Sequence, residues 1–349
     1  MKLLFITRKV DTADSRAGFV IDWLLVLAKH LDQLAVVCQE KGDIANLPEN
    51  IVVYSLGKEL GHSKIRQFFQ AQKLLFQLVK NYDGIFAHQM PIYAVLAAPA
   101  GKIFHKKLIQ WYTHKSVDWR LCLANLLVNG FATASSESFR LKTKKPIHIF
   151  GHGINVEKFK NQKSPIANNE YYHLLTVGRI SPSKDYESMI KAIYDLREQG
   201  IDQLKLTIVG APAMALGFDY FEKLQTLVEK MRLTKQVEFL GGLPPTRIIP
   251  YLQNADLFLN LSATGSLDKA VLEAMACGCL VLTSNESFQS ILPAELFIAK
   301  DQPEILAERI KSLMDLPTDK KEELAKQLRQ EVVSHHNLAD LAKKIIALY

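Results

Sequence analysis

The sequence predicts an α/β protein built from two doubly wound parallel-sheet domains that face a cleft. Short apolar segments alternate with amphipathic helical patterns along the chain, which is typical of parallel βαβ units with helices on both faces. The alternation pauses in a stretch with glycines and polar residues between about 150 and 170. A length of 349 residues suits two hydrophobic cores better than one.

The first half of the chain contains five segments that we predict to be strands. Amphipathic patterns over Ala17–Leu31 and Ser63–Lys80 predict helices between them. These elements form a predicted Rossmann-like N-terminal domain over residues 1–155. The predicted strands are Lys2–Ile6, Leu34–Val37, Ile51–Ser55, Gly84–His88 and Lys107–Trp111.

The same alternation resumes in the second half and predicts a second Rossmann-like domain over residues 156–337. Its first strand is followed by a helical pattern that starts at Tyr186 and is closed by Gly200. Gly151 and Gly153 indicate a hinge between the domains, because glycine permits backbone angles that strands and helices exclude. The predicted strands are Tyr172–Val177, Leu204–Val209, Gln236–Leu240, Leu257–Leu261 and Leu280–Thr283.

Composition excludes several classes of protein. No window is apolar enough to span a bilayer, and the first apolar run is too short for a signal peptide, since Arg8 and Lys9 end it. The four cysteines lack Cys-x-x-Cys spacing, and Cys277 and Cys279 fit buried packing better than a metal or redox pair. We therefore expect a cytoplasmic protein without a metal.

The basic charge is concentrated in the first half of the chain. Residues 1–155 hold 20 Lys and Arg against 11 Asp and Glu, within a total net charge of +7. Such runs are consistent with solvated helix faces. They are also consistent with attraction to an anionic membrane surface or a lipid-linked acceptor. Nucleic acid is not expected as a partner, because no nucleic-acid-binding motif accompanies the charge.

Two cations mark the first candidate site. The predicted strand ending at Val177 breaks at Gly178, and Arg179 and Lys184 follow within a turn before the next helix. Arginine binds phosphate oxygens bidentately and lysine adds a point charge, so this strand-to-helix turn is well placed to hold a diphosphate.

The second candidate site lies about ninety residues later, in the segment 262–273. A loop of glycine and small residues, including Gly265 and Ser266, leads to a helix that starts near Lys269. A helix N-terminus attracts phosphate through its free N–H groups. Asp268 is also suited to cap that helix, and Glu273 needs a partner on an otherwise apolar helix.

These two segments resemble the donor-binding half of retaining glycosyltransferases of the GT-B fold, group 1 (family 4). The resemblance covers nearly the whole chain and is most specific over residues 172–285. It implies that Arg179 and Lys184 hold the distal phosphate and stabilise it as the glycosidic bond breaks. It also implies that Glu273 binds the ribose hydroxyls, and that the helix 338–349 packs back on the N-terminal domain.

The resemblance assigns further donor contacts and reveals one departure. Gly265 stands where the family usually has a glutamate that contacts the transferred sugar. Asp268 is close enough to replace that glutamate, and Lys269 is close enough to reach the phosphate. The remaining donor contacts that we expect in this half are Gly178, Gly210, Leu240, Ser266 and Leu267.

In the N-terminal half the resemblance is looser. Gly18, with Arg16 nearby, falls where the family keeps glycines close to the donor. His114 ends an apolar segment where the family has a histidine beside the transferred sugar, which implies a catalytic role. His88 also ends a strand, and we expect it to face the acceptor.

The resemblance implies a metal-independent hexosyltransferase that uses a nucleotide sugar, with UDP ahead of GDP as carrier. No Asp-x-Asp occurs, so the usual ligands for a metal-bound sugar diphosphate are absent from the sequence, and no cofactor is expected. The expected acceptor is a hydroxyl of a saccharide or a lipid-linked saccharide in polysaccharide biosynthesis, with the protein peripheral at the inner face of the plasma membrane. A binding protein without turnover and a GT-B sugar epimerase are the alternatives. A nicotinamide-dependent oxidoreductase is disfavoured, because no Gly-x-Gly-x-x-Gly follows the first strand.

Overall fold

The computed structural model describes residues 1–14, 17–45, 47–162, 170–212, 215–262 and 265–349. These residues form two compact units. Unit 1 comprises Met1–Asn155 together with His336–Tyr349, and unit 2 comprises Val156–His335.

Unit 1 is a parallel sheet with strand order β3-β2-β1-β4-β5-β6-β7. The order reverses between β1 and β4, which makes this edge of the sheet the usual position for a ligand crevice. The strands are β1 Lys2–Val10, β2 Gln33–Lys41, β3 Ile51–Ser55, β4 Gly84–His88, β5 Lys107–Trp111, β6 Gly130–Thr133 and β7 Ile147–Ile149. The helices are α1 Phe19–Ala28, α2 Lys64–Leu78, α3 Pro91–Ile103 and α4 Trp119–Leu127.

Unit 2 is also built on a parallel sheet, with strand order β10-β9-β8-β11-β12. Its order reverses between β8 and β11. The strands are β8 Tyr172–Val177, β9 Leu204–Val209, β10 Val237–Gly241, β11 Leu257–Asn260 and β12 Leu280–Thr283. The helices are α5 Tyr186–Glu198, α6 Ala215–Lys230, α7 Pro245–Asn254, α8 Lys269–Ala276, α9 Pro303–Met314 and α10 Thr318–His335.

The last helix, α11 Leu338–Ile346, belongs to unit 1. Its side chains Leu338, Leu341 and Ile345 are buried in the same core cluster as Trp23 of α1. Strand β1 serves both faces of the sheet, because successive side chains point to opposite sides. Leu3 and Phe5 pack in the cluster with α1 and α11, whereas Leu4 and Ile6 pack in the cluster under α2 and α3.

The predicted fold class is confirmed, and all ten predicted strands are present. Two strands, β6 and β7, were not among them. The strand β7 is three residues long and mostly exposed, and its sequence Ile-His-Ile is too short to stand out as a strand. β1 extends four residues beyond the predicted end, to Val10, and Lys9 in this extension forms ion pairs with Asp11, Asp14 and Glu40.

The helices agree with the predicted patterns within a few residues. Ser63 caps α2 by accepting a hydrogen bond from the Arg66 N–H. Gly200 follows α5 with a φ of +85°. Gly151 and Gly153 also have positive φ, which agrees with the conformational freedom expected there. The remainder of the predicted hinge includes residues 163–169, which lie outside the described residues. Among the described helices, none has the length and apolarity that a bilayer crossing requires.

Candidate functional site

The two segments singled out in the second half of the chain meet at the switch point of the unit 2 sheet. The turn from Gly178 to Lys184 follows β8, and residues 261–262 and 265–268 lie between β11 and α8. These strands are hydrogen-bonded neighbours with Leu257 beside Leu174. Because both strands are parallel, their carboxyl ends place the two segments on one edge of the sheet, where open α/β sheets bind ligands.

A buried tyrosine fixes the backbone that carries Arg179. The hydroxyl of Tyr186 lies 3.0 Å from the carbonyl oxygen of Gly178 and 3.3 Å from that of Arg179. Tyr186 is completely buried, and burial raises the pKa of its hydroxyl, which therefore remains a donor. The Arg179 side chain itself is exposed and lies outside the core.

A glycine is required at position 210, directly after β9, because its backbone lies very close to the turn that carries Arg179. A Cβ at Gly210 would lie 1.7 Å from the carbonyl oxygen of Gly178, which is shorter than any real contact. The Gly178 N–H donates to Val209 O at 2.9 Å, and the Gly210 N–H donates to Gly241 O at 2.8 Å. Gly178 and Gly210 therefore pack backbone against backbone.

Lys184 and Asp268 form an ion pair although 84 residues separate them. Asp268 also accepts from the Asn260 side-chain amide at 3.0 Å and from the Ala270 N–H at 3.3 Å, which caps α8. The Asn260 oxygen accepts in turn from the Thr283 hydroxyl at 3.1 Å. Burial raises the pKa of Asp268, but Lys184 and these hydrogen bonds outweigh it and leave the pKa lowered.

Glu273 lies one turn further along α8. Its carboxylate is 3.5 Å from the Lys269 ammonium, an i,i+4 pair whose side chains are 15% and 22% exposed. Burial raises the pKa of Glu273, and the opposing effect of Lys269 is smaller. Burial therefore disfavours the ionised form of Glu273, and a ligand that donates hydrogen bonds to the carboxylate would favour that form.

The loop before α8 is held at its base by Asn285, whose side-chain amide donates to the carbonyl oxygen of Ser266 at 2.9 Å. Leu267 is buried, and Gly265 has a φ of +59° that few other residues adopt. Ala263 and Thr264, which the sequence includes in this loop, lie outside the described residues. Leu240 is half-buried in β10, where the register shifts between Phe239 and Gly241.

In unit 1, Gly18 and His114 lie in different environments. Gly18 is buried and precedes α1 in a right-handed helical conformation, with its N–H donating to Asp14 O at 2.9 Å. His114 is exposed, and its Nδ1 accepts from the Ser116 N–H at 3.1 Å. This bond places the proton of the neutral ring on Nε2 and leaves that nitrogen as a donor. Arg16 lies outside the described residues.

His88 is placed differently from the expectation that it faces an acceptor. Its side chain is completely buried, and its Nδ1 lies 3.1 Å from the Thr7 hydroxyl. The ring packs 5.2 Å from that of Phe5 and 5.0 Å from that of Trp23. An acceptor would have to displace these aromatic rings to reach it, so this environment points to a structural role.

The structure therefore brings together Lys184 with Asp268, Lys269 with Glu273, and Gly178 with Gly210. Sequence analysis missed Asn260, Thr283, Asn285 and the anchoring role of Tyr186. Asn260 had a detectable signal, since it is the polar residue that ends a strand of otherwise buried apolar residues.

Comparisons with known proteins extend this description. The model of the family described as glycosyl transferases group 1 matches residues 157–331, half of the chain, which contain both segments of the site. The putative colanic acid biosynthesis glycosyltransferase WcaL of Escherichia coli (strain K12) is 25% identical over 217 residues, 59% of this chain and 51% of that protein. The phosphatidylinositol N-acetylglucosaminyltransferase GPI3 subunit of Saccharomyces cerevisiae (strain YJM789) is 21% identical over 241 residues, 68% of this chain and 52% of that protein. The chain thus spans about half of the length of these two relatives.

A solved structure matches the chain from end to end. Anabaena Alr3699/HepE in complex with UDP has a TM-score of 0.80 at 18% identity, over 100% of this chain and 99% of that chain. The same protein in complex with UDP-glucose has a TM-score of 0.78 at 18% identity, with the same coverage.

Proposed function

The chain belongs to the glycosyl transferases of group 1 and has the GT-B fold, and on this basis we propose that it is a retaining glycosyltransferase. In this proposal it moves a hexose from a nucleotide diphosphate sugar to an acceptor hydroxyl, without a metal. The supporting observation is that Arg179 and Lys184, in the turn after β8, and Lys269, at the start of α8, follow neighbouring strands at the switch point of unit 2, where Lys184 pairs with Asp268 beside Lys269. Arginine and lysine side chains at the edge of a parallel sheet suit a diphosphate.

The proposed reaction breaks the bond between the anomeric carbon and the diphosphate and forms a bond from that carbon to the acceptor oxygen. The acceptor attacks on the face from which the diphosphate leaves, so the anomeric configuration is retained. The leaving diphosphate takes the acceptor proton. Arg179 and Lys184 stabilise the negative charge that grows on the distal phosphate, which is where fixed cations lower a barrier most effectively.

The carboxylates of α8 have separate proposed roles. Glu273 binds the ribose hydroxyls, since its raised pKa leaves a charge that gains from donated hydrogen bonds. Asp268 contacts the transferred sugar in place of the glutamate that Gly265 replaces. An ionised carboxylate has about four acceptor positions, and Asp268 uses three of them for Lys184, Asn260 and Ala270. One position is then left for a sugar hydroxyl.

The remaining donor contacts are proposed from position. Gly18, Gly178, Gly210 and Ser266 with Leu267 offer backbone to the donor, and Leu240 lies on the strand expected to meet the base. His114 is proposed to contact the transferred sugar through the Nε2–H that its Ser116 bond leaves available.

We propose UDP ahead of GDP as the carrier, a choice supported by the HepE complexes with UDP and UDP-glucose. We propose a saccharide or lipid-linked saccharide as acceptor. One relative is named for colanic acid biosynthesis and another for phosphatidylinositol, a lipid. The proposed location is the cytoplasm, at the inner face of the membrane.

The second candidate is a nucleotide-sugar-binding protein without turnover. Gly265 favours it, because the family's sugar-contacting glutamate is replaced by a residue without a side chain. A sugar epimerase of the same fold is a third candidate, but no residue in the sequence points to it specifically.

The first test is the thermal shift of the purified protein with UDP, GDP, ADP and their sugars. We expect one nucleotide series to stabilise it, by about 2.7 kcal/mol at a hundredfold excess over Kd. The double variant Arg179→Ala, Lys184→Ala should lose this shift. The variant Lys191→Ala, Arg247→Ala, which removes the same charge from exposed positions of unit 2, should keep it.

Turnover is tested with the nucleotide sugar so identified and a panel of saccharide and lipid-linked acceptors. Release of the nucleoside diphosphate with an unchanged anomeric configuration in the product, read by NMR, is the expected result. Binding without transfer or hydrolysis would favour the second candidate. No stabilisation by any nucleotide at concentrations well above about 1 mM would refute the proposal.

A further inference from the structure

Helix α2 of unit 1 exposes a stripe of large apolar side chains. Ile65 is 71% exposed, Phe69 67%, Phe68 48% and Phe76 36%. Ile65, Phe69 and Phe76 are spaced i, i+4 and i+11, so they share one face of the helix, and Phe68 adjoins it. Contiguous apolar patches of this kind on a surface usually mark an interaction site.

The stripe does not result from a loosely packed helix. On the opposite face Ala71 and Leu75 are buried in the core of unit 1. Gln70 donates to Ser55 O at 2.7 Å, and Gln72 donates to Leu96 O of α3 at 3.0 Å. These contacts fix the rotation of α2 and thereby fix the stripe on the outside.

Cations flank the stripe. Lys64 lies on one side, and Arg66 and Lys73, spaced i and i+7, lie on the other; all three are exposed. The segment 61–80 contains four Lys and Arg and no Asp or Glu. This combination of aromatic and cationic side chains is typical of helices that lie in the interface of an anionic bilayer.

Two neighbouring features extend this surface. At the carboxyl ends of α2 and α3, the ring centroids of Phe76 and Phe104 lie 6.3 Å apart. Next to Phe104 is a pocket of about 590 Å³ lined by His105 and by four lysines, Lys102, Lys106, Lys107 and Lys145. Between α2 and α3 runs a groove of about 440 Å³, lined largely by apolar side chains that include Phe68, Ile92, Val95, Leu96 and Pro99.

We propose that this α2 surface docks unit 1 on an anionic lipid bilayer. The stripe enters the boundary between headgroups and acyl chains, and Lys64, Arg66 and Lys73 meet lipid phosphates. The cationic pocket binds a further headgroup, and the groove receives an acyl chain. This inference builds on the proposed membrane-associated acceptor and names the element that makes the contact.

The test is co-sedimentation of the full chain with vesicles of phosphatidylcholine alone or of phosphatidylcholine mixed with phosphatidylglycerol. We expect binding to the anionic vesicles only, weakened when salt rises from about 0.1 M to about 0.5 M. Arg66→Gln with Lys73→Gln should weaken binding roughly fivefold per charge. Ile65→Ser with Phe69→Ser should weaken it about tenfold or more.

Matched controls lie in unit 2. Phe218→Ser removes an aromatic ring that is 56% exposed on α6, and Lys230→Gln with Lys235→Gln removes two exposed cations. Both should bind vesicles like the wild type. Equal binding to both vesicle types, or unchanged binding by the α2 variants, overturns the proposal. Self-association without lipid that the α2 variants abolish also overturns it, because the stripe would then belong to a second copy.

Vesicle binding needs no nucleotide sugar, and the nucleotide thermal shift needs no lipid. The two proposals can therefore fail separately. The α2 variants should retain both the wild-type unfolding temperature and the nucleotide shift, which shows that any loss of vesicle binding is local.

Discussion

Two carboxylates on α8, Asp268 and Glu273, have opposite pKa shifts. Burial by itself raises the pKa of both carboxylates. At Asp268 the ammonium of Lys184 and the amide of Asn260 more than offset it, so the pKa falls. At Glu273 burial exceeds the effect of Lys269, so the pKa rises. The ionised form of Asp268 is therefore stabilised within the protein, whereas folding disfavours the ionised form of Glu273.

Glu273→Gln should stabilise the protein and weaken donor binding. The pKa of Glu273 is raised in the folded state, so stability falls as pH rises above the ordinary glutamate value of about 4.3 and stays lower above the raised pKa. The variant should therefore melt at a higher temperature than the wild type at pH 7 and at the same temperature as the wild type at about pH 4. UDP affinity should drop about tenfold or more, as expected when hydrogen bonds to a charged group are lost.

Asp268→Asn should have the opposite effect on stability and should destabilise the protein at neutral pH. Its pKa is lowered in the folded state, so the wild type should be the more stable protein above the ordinary aspartate value of about 3.9. That advantage should disappear as pH falls through the lowered pKa. Melting curves between pH 3 and pH 7 check both variants, and differences that do not change with pH would show that shape rather than charge is responsible.

At the scale of the element, the turn between β8 and α5 is determined by contacts that no local pattern contains. The sequence located this turn through Gly178, Arg179 and Lys184. Its backbone is positioned by Tyr186 from within α5 and by Gly210 at the end of β9. The direction in which Arg179 leaves the sheet therefore depends on a strand that comes later in the chain.

Gly210→Ala should disrupt this turn. The new methyl group would lie 1.7 Å from Gly178 O, and neither backbone can yield without shifting a strand. We expect a loss of more than about 3 kcal/mol of unfolding free energy and loss of the nucleotide shift. Gly242→Ala is the control, since its methyl group would meet only Ala211 Cβ at 3.4 Å. Denaturant melts of both variants measure the difference, and equal stability would contradict the close approach at Gly210.

At the scale of the whole molecule, the chain returns to unit 1 through α11. A Cβ at Gly153 would lie 2.5 Å from Leu341 Cδ2, and one at Gly84 would lie 2.0 Å from Tyr349 Cδ1. The Tyr349 hydroxyl donates to Ile85 O at 2.7 Å. These glycines leave space for α11 and for Tyr349, so both are part of the packing of unit 1.

Leu341→Ala should therefore destabilise unit 1 by about 2–5 kcal/mol, the usual cost of truncating a buried leucine. All three tryptophans, Trp23, Trp111 and Trp119, lie in unit 1, so their fluorescence reports its unfolding. We expect the fluorescence transition to move to lower denaturant concentration, while nucleotide binding by unit 2 persists. Lys344→Ala, at an exposed position of the same helix, should leave the transition unchanged. An unchanged transition in Leu341→Ala would mean that α11 contributes little to unit 1.

Local sequence patterns were sufficient for the α/β class, ten of the strands, the approximate extents of α1, α2 and α5, and the position of the two segments of the candidate donor site. They were sufficient for the fold because strand and helix periodicities and turn residues are local, whereas the roles expected for the two segments came from the resemblance to the glycosyltransferase family. Local patterns did not reveal β6 or β7, the latter being only three residues long, or the burial of His88 beside Phe5 and Trp23. The pairing of Lys184 with Asp268 and the contact of Gly210 with Gly178 emerge only in the folded chain. Each depends on which strands lie side by side, and strand order is set by packing between residues that are distant in the chain.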